Sequence, residues 1–251
     1  MGELDPGLLQ RARDAATRAE VDSFRELLGA HPELVRAACD HGGNILHDAA
    51  YGGSVEICTL LVEAGADTSR LRENECAPDA PHCGPGSQTP LAMALECNRT
   101  DAARYLASIE VAPDNLWMAA SLGNLERIEA HVAADGALHS DARDPNKAGD
   151  DAFVLADALV GAAHQKHNTA ALLLLDRGAD PSGRDQFGMT AAHYAVQGNL
   201  ELLRVLIERG ADLGLCDFQF DATPRGWAEY GGHLEVVRFF QELDTRDRPQ
   251  S

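Results

Sequence analysis

The sequence predicts an all-α solenoid, one domain over residues 1–251 made of about seven helix-turn-helix repeats and broken by two loop insertions. Three observations carry that expectation. Asp157, Thr190 and Thr223 follow one another at intervals of 33 residues. The triplet Gly-Ala-Asp recurs at Gly65-Ala66-Asp67, Gly178-Ala179-Asp180 and Gly210-Ala211-Asp212, each time after an apolar run. Alanine pairs stand early in several repeats, at Ala49-Ala50, Ala119-Ala120 and Ala162-Ala163.

Taken in order, the first repeat is the faintest. Its Ala15-Ala16 and Leu27-Leu28 fall about one period before Ala49-Ala50 and Leu61-Val62. The second opens at Asn44 (Asn44-Ile45-Leu46-His47-Asp48-Ala49-Ala50), the third at Thr89, the fourth at Asp114, and the last three at Asp157, Thr190 and Thr223. Small residues let the first helix of each repeat lie close to its neighbours, while Leu60-Leu61, Leu172 to Leu175 and Val236-Val237 form the apolar stripe of the second. Gly65, Gly178 and Gly210 end that second helix, because a residue without Cβ accepts the left-handed backbone a helix C-terminus commonly needs. One such helix pair cannot bury its own apolar face, so stability comes from stacking, and the ends need polar caps. Arg11, Arg13, Arg18, Glu20 and Arg25 supply one end, and Glu242, Asp244, Arg246, Asp247 and Arg248 the other.

The most complete repeat runs Asp185-Gln186-Phe187-Gly188-Met189-Thr190-Ala191-Ala192-His193-Tyr194-Ala195 and closes at Gly210-Ala211-Asp212. It resembles the ankyrin repeat, whose signature is T-P-L-H-x-A over about 33 residues. Ala92, Trp117, Val160 and Gly226 stand where that pattern has histidine. The resemblance implies a structural hydrogen-bonding role for His47 and His193. It also implies a concave wall lined by residues four and seven places after the threonine slot: Asp48 and Tyr51, Met93 and Glu96, Met118 and Ser121, Gly161 and His164, Tyr194 and Gln197, Trp227 and Tyr230. Turn tips add His41, Gln186, Phe187, Gln219 and Phe220.

Composition sets limits on partners. A formal net charge of −19 disfavours a nucleic-acid backbone, which is recognised by clustered Lys and Arg. Basic partners are favoured electrostatically, although an acidic surface also serves solubility alone. No apolar run is long enough to cross a bilayer, and Met1-Gly2-Glu3-Leu4-Asp5 lacks the features of a secretory leader, so the expected location is cytoplasmic. Cys39, Cys58, Cys97 and Cys216 lie in or beside repeat elements without regular pairing, as core-filling thiols do in a reducing compartment.

Two inserts depart from the period. Arg70 to Ser87 holds Cys76, His82 and Cys83, three donors of the type zinc favours. A structural site needs four donors, commonly in two close pairs, so the expectation is a Pro- and Gly-rich surface loop with no metal. The second insert, Ala133 to Asp151, reads as polar and mobile, with turns at Asp135-Gly136, Asp144-Pro145 and Gly149-Asp150. It is expected to join subarrays 1–132 and 152–251 that frame a cleft.

The function implied by the resemblance is a scaffold or regulator holding a protein partner on the concave face and turn tips. Tyr51, Phe187, Phe220, Trp227, Tyr230, His164 and Tyr194 are the candidate contacts, since surface aromatics anchor interfaces. The alternative is an enzyme or small-molecule binder using the cleft, walled by Met93, Met118 and Trp227. Its acid–base candidates would be Glu96, His164, Tyr194 and Tyr51. With packed helices about 8–10 Å apart, Glu96 and His164 would lie roughly 16–20 Å from each other, too far for a dyad, whereas His164 and Tyr194 occupy adjacent repeats. The sequence has no Gly-rich phosphate loop, nucleophile elbow or metalloprotease helix. No catalytic residue, cofactor or metal ligand is assigned.

Overall fold

A computed structural model describes residues 4–39, 42–73, 87–109, 115–144 and 149–246. Among them are fourteen α-helices in seven consecutive pairs, the all-α repeat architecture that the sequence predicts. The described residues fall into two compact units, one up to residue 109 and the other from residue 115 on.

The first unit holds three helix pairs: α1 (Pro6–Thr17) with α2 (Val21–Ala30), α3 (Ile45–Gly52) with α4 (Val55–Glu63), and α5 (Pro90–Glu96) with α6 (Thr100–Ile109). A 3₁₀ turn at Pro32–Arg36 follows α2. Within this unit α1, α3 and α5 lie side by side, and α2, α4 and α6 form the layer behind them. Ala12, Ala16, Ala49, Ala50 and Ala94 are fully buried where the front helices meet, and Phe24, Ile57, Leu61 and Leu106 fill the layer behind. Gly52 shows how close that approach is, because a Cβ there would sit 2.8 Å from the Thr17 carbonyl oxygen. Side-chain caps start the helices: Asp5 accepts from Gly7 and Leu8, Ser54 from Ile57, and Thr89 from Ala92.

The 70–87 insert is closed at its base by an antiparallel ribbon, β1 (Arg72–Glu73) with β2 (Ser87–Gln88), in which Arg72 faces Gln88. Strand pairing was not expected there. Its Cys76, His82 and Cys83 lie outside the described residues, as does His41 at an earlier turn.

The second unit holds four pairs: α7 (Leu116–Ser121) with α8 (Leu125–His131), α9 (Asp151–His164) with α10 (Asn168–Asp176), α11 (Ala191–Ala195) with α12 (Leu200–Glu208), and α13 (Pro224–Tyr230) with α14 (Leu234–Arg246). Helices α7, α9, α11 and α13 form its front layer, each packed on the next. Its core runs through Leu116, Leu159, Leu174, Leu203, Leu206 and Phe240.

Three sequence expectations change here. The division placed in the 133–151 insert lies elsewhere: α7 packs on α9 across that insert, and the compact units part between residues 109 and 115. The described part of the insert is folded onto its unit. Val132 bridges Leu138, and Ala142, 1% exposed, accepts the Leu116 N–H at 2.9 Å. Two repeat starts also move. The fourth is capped by Asn115, whose side chain accepts from Met118, one residue after the expected Asp114. The fifth begins at Asp151 with Asp150 accepting from Phe153, so Asp157, placed in the capping slot, lies buried inside α9.

Candidate partner-binding surface

His47 and His193 occupy equivalent places and make equivalent bonds. Each ring Nδ1 accepts the N–H of the residue that caps its own helix, Asn44 at 3.2 Å and Thr190 at 3.0 Å. That fixes the tautomer, leaving Nε2–H to donate to a carbonyl of the next repeat, Gln88 at 3.0 Å and Ala222 at 3.0 Å. Burial pushes both pKa values down, in keeping with neutral rings. These histidines staple neighbouring repeats together.

On the front layer of the second unit, the His164 and Tyr194 rings stack with centroids 4.2 Å apart. Burial lowers the His164 pKa to about 4, so the ring is neutral at physiological pH. Trp227 is partly buried, its ring edge-on to His193 and Phe220, and its indole N–H donates to Asp217 Oδ2 at 2.9 Å. At the end of α13, Tyr230 is 98% exposed. On the first unit Tyr51 is 46% exposed.

Several other members of the expected wall are buried. Met93 and Met118 are 7% and 3% exposed, so neither walls a cleft. Ser121 is buried as well. Asp48 is 8% exposed and pairs with Arg13 at 3.1 Å. The Glu96 carboxylate accepts from the Gln88 side chain.

Two turns carry the exposed aromatics. In the first, Asp185 Oδ1 accepts from the N–H groups of Phe187 at 2.8 Å and Met189 at 2.9 Å. In the second, Asp217 Oδ1 accepts from Gln219 at 2.8 Å and Phe220 at 2.7 Å, and its Oδ2 accepts from Ala222 as well as Trp227. Burial alone would raise the Asp217 pKa, but its bonds from Trp227, Phe220, Gln219 and Ala222 outweigh that and hold it below the usual carboxylate range. Each aspartate thus fixes the turn that presents Phe187 or Phe220. Gln186, expected at a tip, is 7% exposed. Phe218, which the sequence reading passed over, is half exposed between them. The alternation Phe218-Gln219-Phe220 beside a capping aspartate was the available signal.

Among the described residues, no cluster of His, Cys, Asp and Glu could hold a metal ion, and no helix is long and apolar enough to cross a membrane.

Similarity to known proteins is partial along the sequence. The chain is 40% identical over 89 residues to potassium channel AKT3 of Oryza sativa subsp. japonica, a match covering 34% of this chain and 10% of the channel. It is 41% identical over 58 residues to the Notch-regulated ankyrin repeat-containing protein of Xenopus tropicalis, covering 21% of this chain and 46% of that protein. The chain therefore spans less than half the length of either relative. Among solved structures, the human ASB11 ankyrin repeat domain aligns over 93% of this chain and 97% of that one, at 18% identity and TM-score 0.44. A chain from the complex of a Bdellovibrio bacteriovorus predatory endopeptidase with an immunity protein aligns over 90% of this chain and 93% of that one, at 17% identity and TM-score 0.42. A family model described as ankyrin repeats (3 copies) matches residues 14–115, 116–217 and 159–248. With those matches taking in nearly the whole sequence and seven helix pairs behind them, the chain belongs to the ankyrin-repeat family.

Proposed function

We propose that this chain is a scaffold or regulator that grips a protein partner through the front-layer aromatics and turn tips of its second unit. Ankyrin repeats are generally protein–protein interaction modules. The observation that carries the reading is the exposure of Phe187, Phe220 and Tyr230, at 45%, 62% and 98%. Large rings held in water on fixed turns or at a helix end are what an interface anchor requires: much area to bury and little rotamer freedom to lose. Trp227 supports the group from behind, since its N–H is engaged by Asp217 and its ring meets Phe220. His164 and Tyr194 add a polar-edged stacked pair, and Tyr51 offers a separate contact on the first unit. A cytoplasmic setting belongs to the same reading, as it does for many members of the family.

The test is affinity capture from the native host's lysate with the unmodified chain and with F187A/F220A/Y230A. The reading expects a stoichiometric protein on the first and its loss on the second, with helicity and cooperative unfolding unchanged. Equal capture by both would remove these residues from the interface.

A further inference from the structure

The two aromatic turns, residues 180–189 and 212–222, are joined into one surface. The Phe218 N–H donates to the Phe187 carbonyl at 3.0 Å, and the Asp212 N–H donates to Ser182 Oγ at 2.8 Å. Gly188, at φ 77°, makes room for the Phe218 ring, which a Cβ there would approach to 2.7 Å. Phe187, Phe218 and Phe220 are therefore rigidly placed yet 45%, 51% and 62% exposed. Preorganisation of this kind lowers the entropy cost of binding.

Charge says what such a surface accepts. The two turns carry Asp180, Asp185, Asp212, Asp217 and Asp221 against Arg184 as their one cationic residue. Asp212 and Asp221 are exposed. This surface already holds a guanidinium: the Arg184 Cζ lies 5.4 Å from the centroid of the Phe218 ring. Phe220 and Asp221 are adjacent in the chain and both exposed, so the second turn presents a further ring and a further carboxylate to solvent. A planar guanidinium uses both, stacking on the ring while its edge donates to the carboxylate, which a compact ammonium does less well.

We propose that the joined turns bind an arginine-bearing, otherwise apolar segment of a partner protein, with the guanidinium at Phe220 and Asp221 and the apolar side chains against Phe187 and Phe218. This rests on the chain being a protein-binding module and adds the chemistry of what it binds. An anionic lipid surface or a nucleic acid would meet like charge here.

The experiment titrates the full chain into fluorescein-labelled peptides of equal length that alternate leucine with arginine, lysine, serine or glutamate, read by anisotropy. The arginine peptide should bind tightest and the lysine peptide next. F187A/F218A/F220A should weaken the arginine peptide about fivefold or more. D212N/D221N, which alters only exposed carboxylates and keeps the turns, should do the same and removes dependence on the folding of the triple variant. Arginine-peptide affinity unchanged by both sets would overturn the proposal, binding then being a diffuse effect of net charge. Phe-dependent binding of the serine or glutamate peptide as tight as that of arginine would overturn the arginine preference while leaving the module reading intact. Failure of every peptide to respond to the Phe substitutions would overturn the proposal alone, the module reading being decided by capture of a native partner.

Discussion

Trp227 Nε1–H donates to Asp217 Oδ2 at 2.9 Å, tying the last front helix to the turn ahead of it. The same carboxylate takes three backbone N–H groups, so one buried side chain organises turn, helix and the exposed Phe220 together. Asp217→Ala strands the indole and backbone donors and should cost about 2 kcal/mol, read as a lower urea midpoint at constant slope. The Trp227 emission should change with it. A loss below about 0.5 kcal/mol would mean that water replaces the carboxylate without penalty.

The packing of α7 on α9 depends on Gly161. A Cβ there would run into the buried Ser121 Oγ and lie 3.0 Å from Trp117 Nε1. Gly161→Ala should therefore destabilise the second unit by about 1–3 kcal/mol, even though alanine is the better helix former. Adding Ser121→Gly should recover part of that loss in a double-mutant cycle. Additive effects of the two substitutions would show that the helices do not meet at this point.

Acid should weaken the fold through its neutral histidines. Burial holds the pKa of His47 and His193 below the ordinary histidine value of about 6.5, and that of His164 at about 4. Because the unfolded chain binds these protons first, their contribution is complete above about 6.5 and is lost as pH falls toward the folded values. Protonation also removes the Nδ1 acceptor from the Asn44 and Thr190 N–H groups. The urea midpoint should stay level from pH 8 to about 7 and fall between about 6.5 and 4. Charged neighbours modulate His47 and His193 (Asp48 and Arg72, Asp217 and Arg184 respectively) without reversing the sign. A midpoint level across that whole range would contradict neutral, buried rings.

The repeats were legible because their signals are local. The recurring Ala-Ala pairs, the Gly-Ala-Asp closures and the histidines of the second and sixth repeats each fix a helix or its end by short-range chemistry. What failed was registration without a threonine. Asp114-Asn115 offers two capping residues side by side, and only the bond from Met118 N–H to Asn115 shows which one is used. Asp157 kept the 33-residue spacing, yet Asp150 begins α9 earlier, since a helix starts where a cap is met and not where a period falls. The aromatic residues at the turns were visible, but their exposure was not. Phe218 differs from Phe239 by long-range packing, which leaves one half exposed at 51% and the other buried at 7%.

The central claim is that the turn-tip and α13 aromatics are the partner's contact. Hydroxyl-radical footprinting reads side-chain solvent access directly, and it is best applied to the chain alone and in the complex captured from lysate. The account predicts that oxidation of Phe187, Phe218, Phe220 and Tyr230 falls on complex formation while Tyr105 on the first unit stays as it was. Unchanged oxidation of all four, with protection elsewhere on the chain, would contradict it.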